Sequence, residues 1–131
     1  MAIATQTLVD SDFEVITKHT ITGTNGTAVQ VLDVSELAGA ATDPRVSIVS
    51  CWWTVSSTTE IEWDATTNVQ CTILTGNGSY GYMPGQPALT NNAGSGISGD
   101  VNVVNATGTF TLVTEFHKIS GFTNTNEATN P

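Results

Sequence analysis

Cations are what this sequence has least of. Lys18, Arg45 and Lys118 stand alone against 12 carboxylates, which sets the formal net charge at −9. A nucleic-acid binder needs a basic patch to displace counterions from phosphates, and three scattered cations supply none. An anionic membrane surface repels such a chain for the same reason. No apolar run approaches the roughly 18 residues that cross a bilayer. The opening Met1-Ala2-Ile3-Ala4-Thr5-Gln6 has neither the basic head nor the apolar core of a signal peptide. The expectation is a chain that folds in a cytoplasm, with no nucleic-acid and no membrane partner.

Cysteine is almost as scarce. Cys51 and Cys71 fall on different expected strands, so a bridge is geometrically open. Two buried thiols acting as small hydrophobes are the simpler reading. A zinc site needs four ligands. Two distant Cys and the distant His19 and His117 contain no close-spaced pair, so no metal is expected.

What is abundant is Thr, 23 of the 131 residues, with 10 Ser and 10 Asn, while charged residues make up only 11%. Thr and Val are β-branched and suit a pleated surface better than a helix. Period-2 alternation agrees. Over 12–22 it sets Phe13, Val15 and Ile21 against Glu14, Lys18, Thr20 and Thr22. A second run, 28–34, carries Val29, Val31, Leu32 and Val34. In 46–55, Val46, Ile48 and Trp52 alternate with Val49, Cys51, Trp53 and Val55, which reads as a central strand buried on both faces. Further strands fit 3–9, 59–63, 69–74, 100–104 and 109–118; in the last, Phe110, Leu112 and Phe116 oppose Thr111, Glu115 and His117. Ser35-Glu36-Leu37-Ala38 makes one helical turn at most. About eight short strands without a helix predict an all-β, eight-strand β-sandwich of jelly-roll type over residues 1–120, followed by a polar tail, 121–131.

Turn chemistry fits. Thr24-Asn25-Gly26-Thr27 reads as a hairpin turn, and Asn105-Ala106-Thr107-Gly108 joins the last two strands. One stretch breaks the pattern: 76–99 holds seven of the 12 Gly and two of the four Pro, with no clear strand. So long a loop is usually functional or disordered. Its Tyr80, Tyr82 and Met83 argue against disorder and for ordering against a partner.

Each candidate for chemistry has a simpler reading. Gly94-Ser95-Gly96-Ile97-Ser98-Gly99 matches the dinucleotide fingerprint by letter, but an alternating strand follows it where the motif needs a helix, so no cofactor is expected. Asp10, Asp12 and Glu14 begin like a calcium loop, but Val15 and Ile21 stand where its Gly and Glu belong; carboxylates in water at a strand entrance suffice. Glu60, Glu62 and Asp64 share one strand face, as glycosidase carboxylates could. An acidic edge that resists strand-to-strand aggregation accounts for them as well. The histidines have no evident nucleophile beside them, so no catalytic residue is expected. Of Trp52 and Trp53, neighbours on opposite faces, one belongs to the core and the other can anchor an interface.

Residues 46–118 together carry a pattern: an apolar strand, Trp63-Asp64-Ala65-Thr66, Leu74-Thr75-Gly76-Asn77-Gly78, an aromatic/Gly segment, LTNNAGSGISGD at 89–100, and the closing strand TFTLVTEFHK at 109–118. This resembles the head decoration, or cement, proteins of tailed bacteriophages. The resemblance implies a virion structural protein of β-sandwich or jelly-roll fold, often a homotrimer. It would be made in the host cytoplasm and seated on the outer capsid, where it binds and stabilises the major capsid protein. Trp53, Tyr80, Tyr82, Met83, Leu89, Asn91 and Asn92 are the candidate interface residues. Acidity suits the outside of a shell that encloses DNA. A Thr/Ser/Asn surface loses little side-chain entropy on docking. A phage tail or fibre accessory protein has much the same composition, and a carbohydrate-binding module with a Trp or Tyr platform is the alternative from another class.

Overall fold

The structure, a computed structural model, describes residues 2–22, 25–105 and 108–123. Among these residues nine strands run β1 (Ala2–Asp10), β2 (Glu14–Thr22), β3 (Asn25–Leu32), β4 (Ala40–Val55), β5 (Thr59–Trp63), β6 (Val69–Leu74), β7 (Asn77–Tyr80), β8 (Val101–Asn105) and β9 (Phe110–Phe122). A single 3-10 turn, Val34–Glu36, stands where the short helical hint lay; the side chain of Asp33 caps it by accepting from Ser35 N.

The strands form two antiparallel sheets, ordered β1-β2-β9-β4-β7 and β3-β8-β5-β6. The molecule is a β-sandwich. Its pairing is nested: β2 with β9, β3 with β8, β4 with β7, β5 with β6. The chain thus passes from sheet to sheet at most connections. This overturns the hairpin expected at Asn25-Gly26, because β2 and β3 lie in different sheets and Asn25 and Gly26 fall inside β3. Thr24, Ala106 and Thr107 lie outside the described residues, as does the tail from Asn124.

The inner faces follow the alternation. In β2 the inward set is Val15, Thr17, His19 and Ile21; in β5, Thr59, Ile61 and Trp63; in β9, Phe110, Leu112, Thr114 and Phe116. Val46, Ile48, Leu74, Val101 and Val103 complete the centre. Burying side chains of this size contributes about 1.5–3 kcal/mol each before entropy is counted. Phe13 is a correction: it precedes β2 and is 61% exposed.

β4 is the second correction. Both faces are buried between Val46 and Cys51, since Ser47 and Ser50 on the outer side are each 4% exposed, but the apolar residues occupy both registers because the strand is bulged. Ile48 pairs with Phe116 and Ser50 with Glu115, which leaves Val49 extra. An extra residue flips the faces beyond it. Val46 and Ile48 therefore point inward before the bulge, and Cys51 and Val55 after it, while Trp52 is turned out to solvent.

Candidate functional site

The Gly-rich region expected to lack a strand begins with one. β7 pairs with β4 from Cys51–Tyr80 to Thr54–Asn77, and the irregular path starts at Gly81. Gly81 has φ +91°, and a Cβ there would stand 2.1 Å from the Val49 carbonyl oxygen. Glycine alone lets the backbone turn this close against the β4 bulge.

The next residues close into a compact loop. The Tyr80 hydroxyl donates to Pro87 O at 2.7 Å. Gln86 Oε1 accepts from Gly81 N at 2.7 Å and from Met83 N at 3.2 Å. Leu89 and Ile48 exchange both backbone hydrogen bonds, at 2.7 and 2.9 Å, so Leu89 extends the edge of the sheet past β7. Tyr82 and Met83 are left at the tip, 61% and 69% exposed. The loop orders against its own chain, through polar groups that a partner would otherwise have to satisfy.

The remainder crosses to the other sheet. Asn91 Oδ1 accepts from Ala93 N at 3.0 Å. Thr66 N donates to Ser95 O at 3.1 Å, and the Ser98 hydroxyl donates to Asp64 Oδ2 at 2.6 Å. The Arg45 guanidinium donates to the carbonyls of Pro44, Ile97 and Ser98 at 2.8–3.3 Å. Two of the three glycines of the apparent dinucleotide motif serve close packing: a Cβ on Gly96 would meet Thr66 Oγ1 and one on Gly99 would meet Pro44 O, while Gly94 has open space around it. Beyond them runs β8.

The seven candidate interface residues therefore divide. Trp53 is half-buried, donates from Nε1 to Thr75 O at 3.1 Å and covers Gly78. Tyr80 and Leu89 pack on the core. Asn91 shapes the loop. Asn92 joins Trp63, Gln70, Cys71, Leu89 and Thr90 around a cavity of about 150 Å³. Tyr82 and Met83 are presented outward. Trp52, 45% exposed, is the member of the tryptophan pair that faces solvent, and the sequence reading missed it because a bulge leaves no mark in an apolar run. Among the described residues, Phe13, Ile119, Leu8 and Ile73 are the other large hydrophobics exposed at 47% or more.

The acidic residues are held in place. Asp64 accepts from Ser98 and from Asn102 Nδ2, and Asn68 Nδ2 donates to Glu62 at 3.3 Å. The Glu60 carboxyl is raised above its ordinary range, first by desolvation and then by Glu62 beside it. Asp10 is more than a carboxylate in water: it takes the Lys118 ammonium at 2.7 Å and Ala38 N at 2.9 Å. Lys118 Nζ also donates to the carbonyls of Ser11 and Ala38 and lies 5.1 Å over the Phe122 ring. Cys51 and Cys71 are free thiols. Burial pushes Cys51 up to about 11 and Cys71 to about 12, the latter raised further by Cys51, so little thiolate exists at neutral pH.

Against the models of known protein families, against curated proteins and against solved structures, the chain finds no match.

Proposed function

We propose that this chain is a binding protein of the virion, a phage decoration protein of jelly-roll winding that docks on the outer capsid as a homotrimer. The observation that carries the reading is the loop tip. Tyr82 and Met83 stand exposed on a loop braced from within by Gln86, whose Oε1 accepts from Gly81 N and Met83 N, on a body of net charge −9. A large apolar pair on a preordered support loses little entropy when buried by a partner. The nested strand order supports the jelly-roll part of the reading, since rolling one long ribbon of paired strands produces it.

The test uses shells assembled from the major capsid protein encoded in the same genome. The double variant Tyr82→Ser, Met83→Ser should keep its thermal unfolding and co-sediment with the shells at least tenfold less well. Unchanged co-sedimentation would remove the tip from the interface. Light scattering should give about three times 13.7 kDa for the free protein. The exposed Trp52 favours a second reading, a carbohydrate-binding module, which sugar-dependent quenching of its fluorescence would support.

A further inference from the structure

Zinc was set aside on sequence spacing, but the β2–β9 ladder brings together ligands that the sequence keeps far apart. Glu14 opens β2 and lies directly across from His117 in β9. Glu115 precedes His117 by two residues, so it projects from the same face. That face is the outer one, since Thr114 and Phe116 between and beside them point into the core. One ligand atom from each of Glu14, Glu115 and His117 lies within 4.8 Å of the other two.

One pair of the three already stands at the spacing of two ligands on one ion. His117 Nε2 stands 3.3 Å from Glu115 Oε2. Two ligands of a tetrahedral ion at bond lengths of about 2.0–2.1 Å are roughly 3.3–3.4 Å apart. The other oxygen of Glu115, Oε1, accepts the Ser50 hydroxyl at 3.2 Å. That bond orients the carboxylate and leaves Oε2 turned toward His117 Nε2, where an ion would replace the direct contact between them; outer hydrogen bonds position metal ligands in this way. All three side chains rise from strands paired on both sides: β2 lies between β1 and β9, and β9 between β2 and β4. The exposure of His117, 49%, leaves room for water in the open position.

We infer that Glu14, Glu115 and His117 form a site for a divalent transition-metal ion, zinc by preference, with three protein ligands and one open position. One imidazole with two carboxylates suits zinc, whereas calcium takes six to eight oxygens. The two carboxylates balance the ion's charge. The bound ion clips β2 to β9 at the end of the sandwich beside the β1–β2 turn. The inference stands apart from the capsid reading and needs no shell for its test.

The full chain, stripped with chelator, is titrated with zinc chloride by calorimetry while the imidazole nitrogens are followed by NMR. One ion per chain should bind, the His117 ring signals should move, and those of the buried His19 should stay. Glu14→Gln and His117→Asn, both at partly exposed positions, should each weaken binding at least tenfold with the fold intact by circular dichroism. Ser50→Ala should weaken it by about tenfold. The thermal midpoint of the parent chain, and not of His117→Asn, should rise with zinc. Failure to bind at millimolar zinc overturns the site. So does binding that leaves the His117 signals unmoved, which would place the ion on the thiols.

Discussion

β1 is a nine-residue strand laddered to β2 along its length, yet Ala4 to Leu8 are all exposed. Residues 81–100 contain no ladder beyond the Ile48–Leu89 bridge, yet Leu89 and Ala93 pack on the core and the backbone is tied at Gly81, Met83, Ser95 and Ser98. The regular segment is the lightly held one. Backbone pairing exchanges hydrogen bonds with water for hydrogen bonds with protein at little net gain, whereas burial and satisfied polar side chains supply the difference. Anchoring should therefore be judged from side chains and close contacts rather than from the regularity of the backbone.

The largest effect is expected where the irregular loop presses on β4. Gly81→Val would force a β-branched residue to φ +91° and set its Cβ within 2.1 Å of Val49 O and 2.7 Å of Ser50 Cα. The expected loss is about 4 kcal/mol in urea unfolding. Gly85 sharpens the comparison, because it has φ +86° and open space around it. Gly85→Val should cost about 1–2 kcal/mol, the backbone part alone. Equal costs at the two positions would mean that the contact at Gly81 anchors nothing.

The strand has its own anchor at one end. Lys118 is buried to 2% side-chain exposure and Asp10 is its anionic partner. Asp10→Ala would leave that ammonium with two carbonyls and no counter-charge, an expected loss of about 3 kcal/mol. Leu8→Ser, two residues away at 47% exposure, should change stability by less than about 0.5 kcal/mol. Thermal unfolding of the pair separates the two. A Leu8 variant as damaging as the Asp10 variant would show that β1 is held along its length.

These contrasts explain what was legible beforehand. Alternation located β2, β5 and β9 because each keeps one face in the core without interruption, as in Thr59, Ile61 and Trp63. At β4 it found a central strand but not its facing, because the extra residue at Val49 mixes the two faces, and it missed β7, whose Asn77-Gly78-Ser79-Tyr80 has no apolar period. Gly78 is there because Trp53 lies over it, a tertiary reason with no local signature. Asn25-Gly26 misled because a turn preference cannot reveal that the next strand joins the other sheet. Tyr82 and Met83 were found from composition alone, since aromatics are unusual in a Gly-rich loop. The Lys118–Asp10 pair and the Glu14–Glu115–His117 cluster depend on pairing β2 with β9 and could not be read before that register was known.

The last of the expected effects, which depends on pH, tests how well β1 covers what lies beneath it. His19 is 1% exposed, with Nδ1 3.1 Å from Thr5 Oγ1 of β1 and Nε2 3.0 Å from Thr17 Oγ1. Burial lowers its pKa from 6.5 to about 4. Between those values the unfolded chain holds a proton that the folded chain does not, so this contribution to stability is whole above about pH 6.5 and falls as the pH drops toward 4. At pH 5 the loss is about 2 kcal/mol relative to neutral pH. Urea midpoints from pH 7.5 to 5 should show it, and His19→Leu, which has nothing to protonate, should show a flatter slope over the same range. Equal slopes would mean that the imidazole takes its proton without unfolding. β1 would then open readily enough to expose its neighbour, and the strand would be still more weakly held than its exposed side chains indicate.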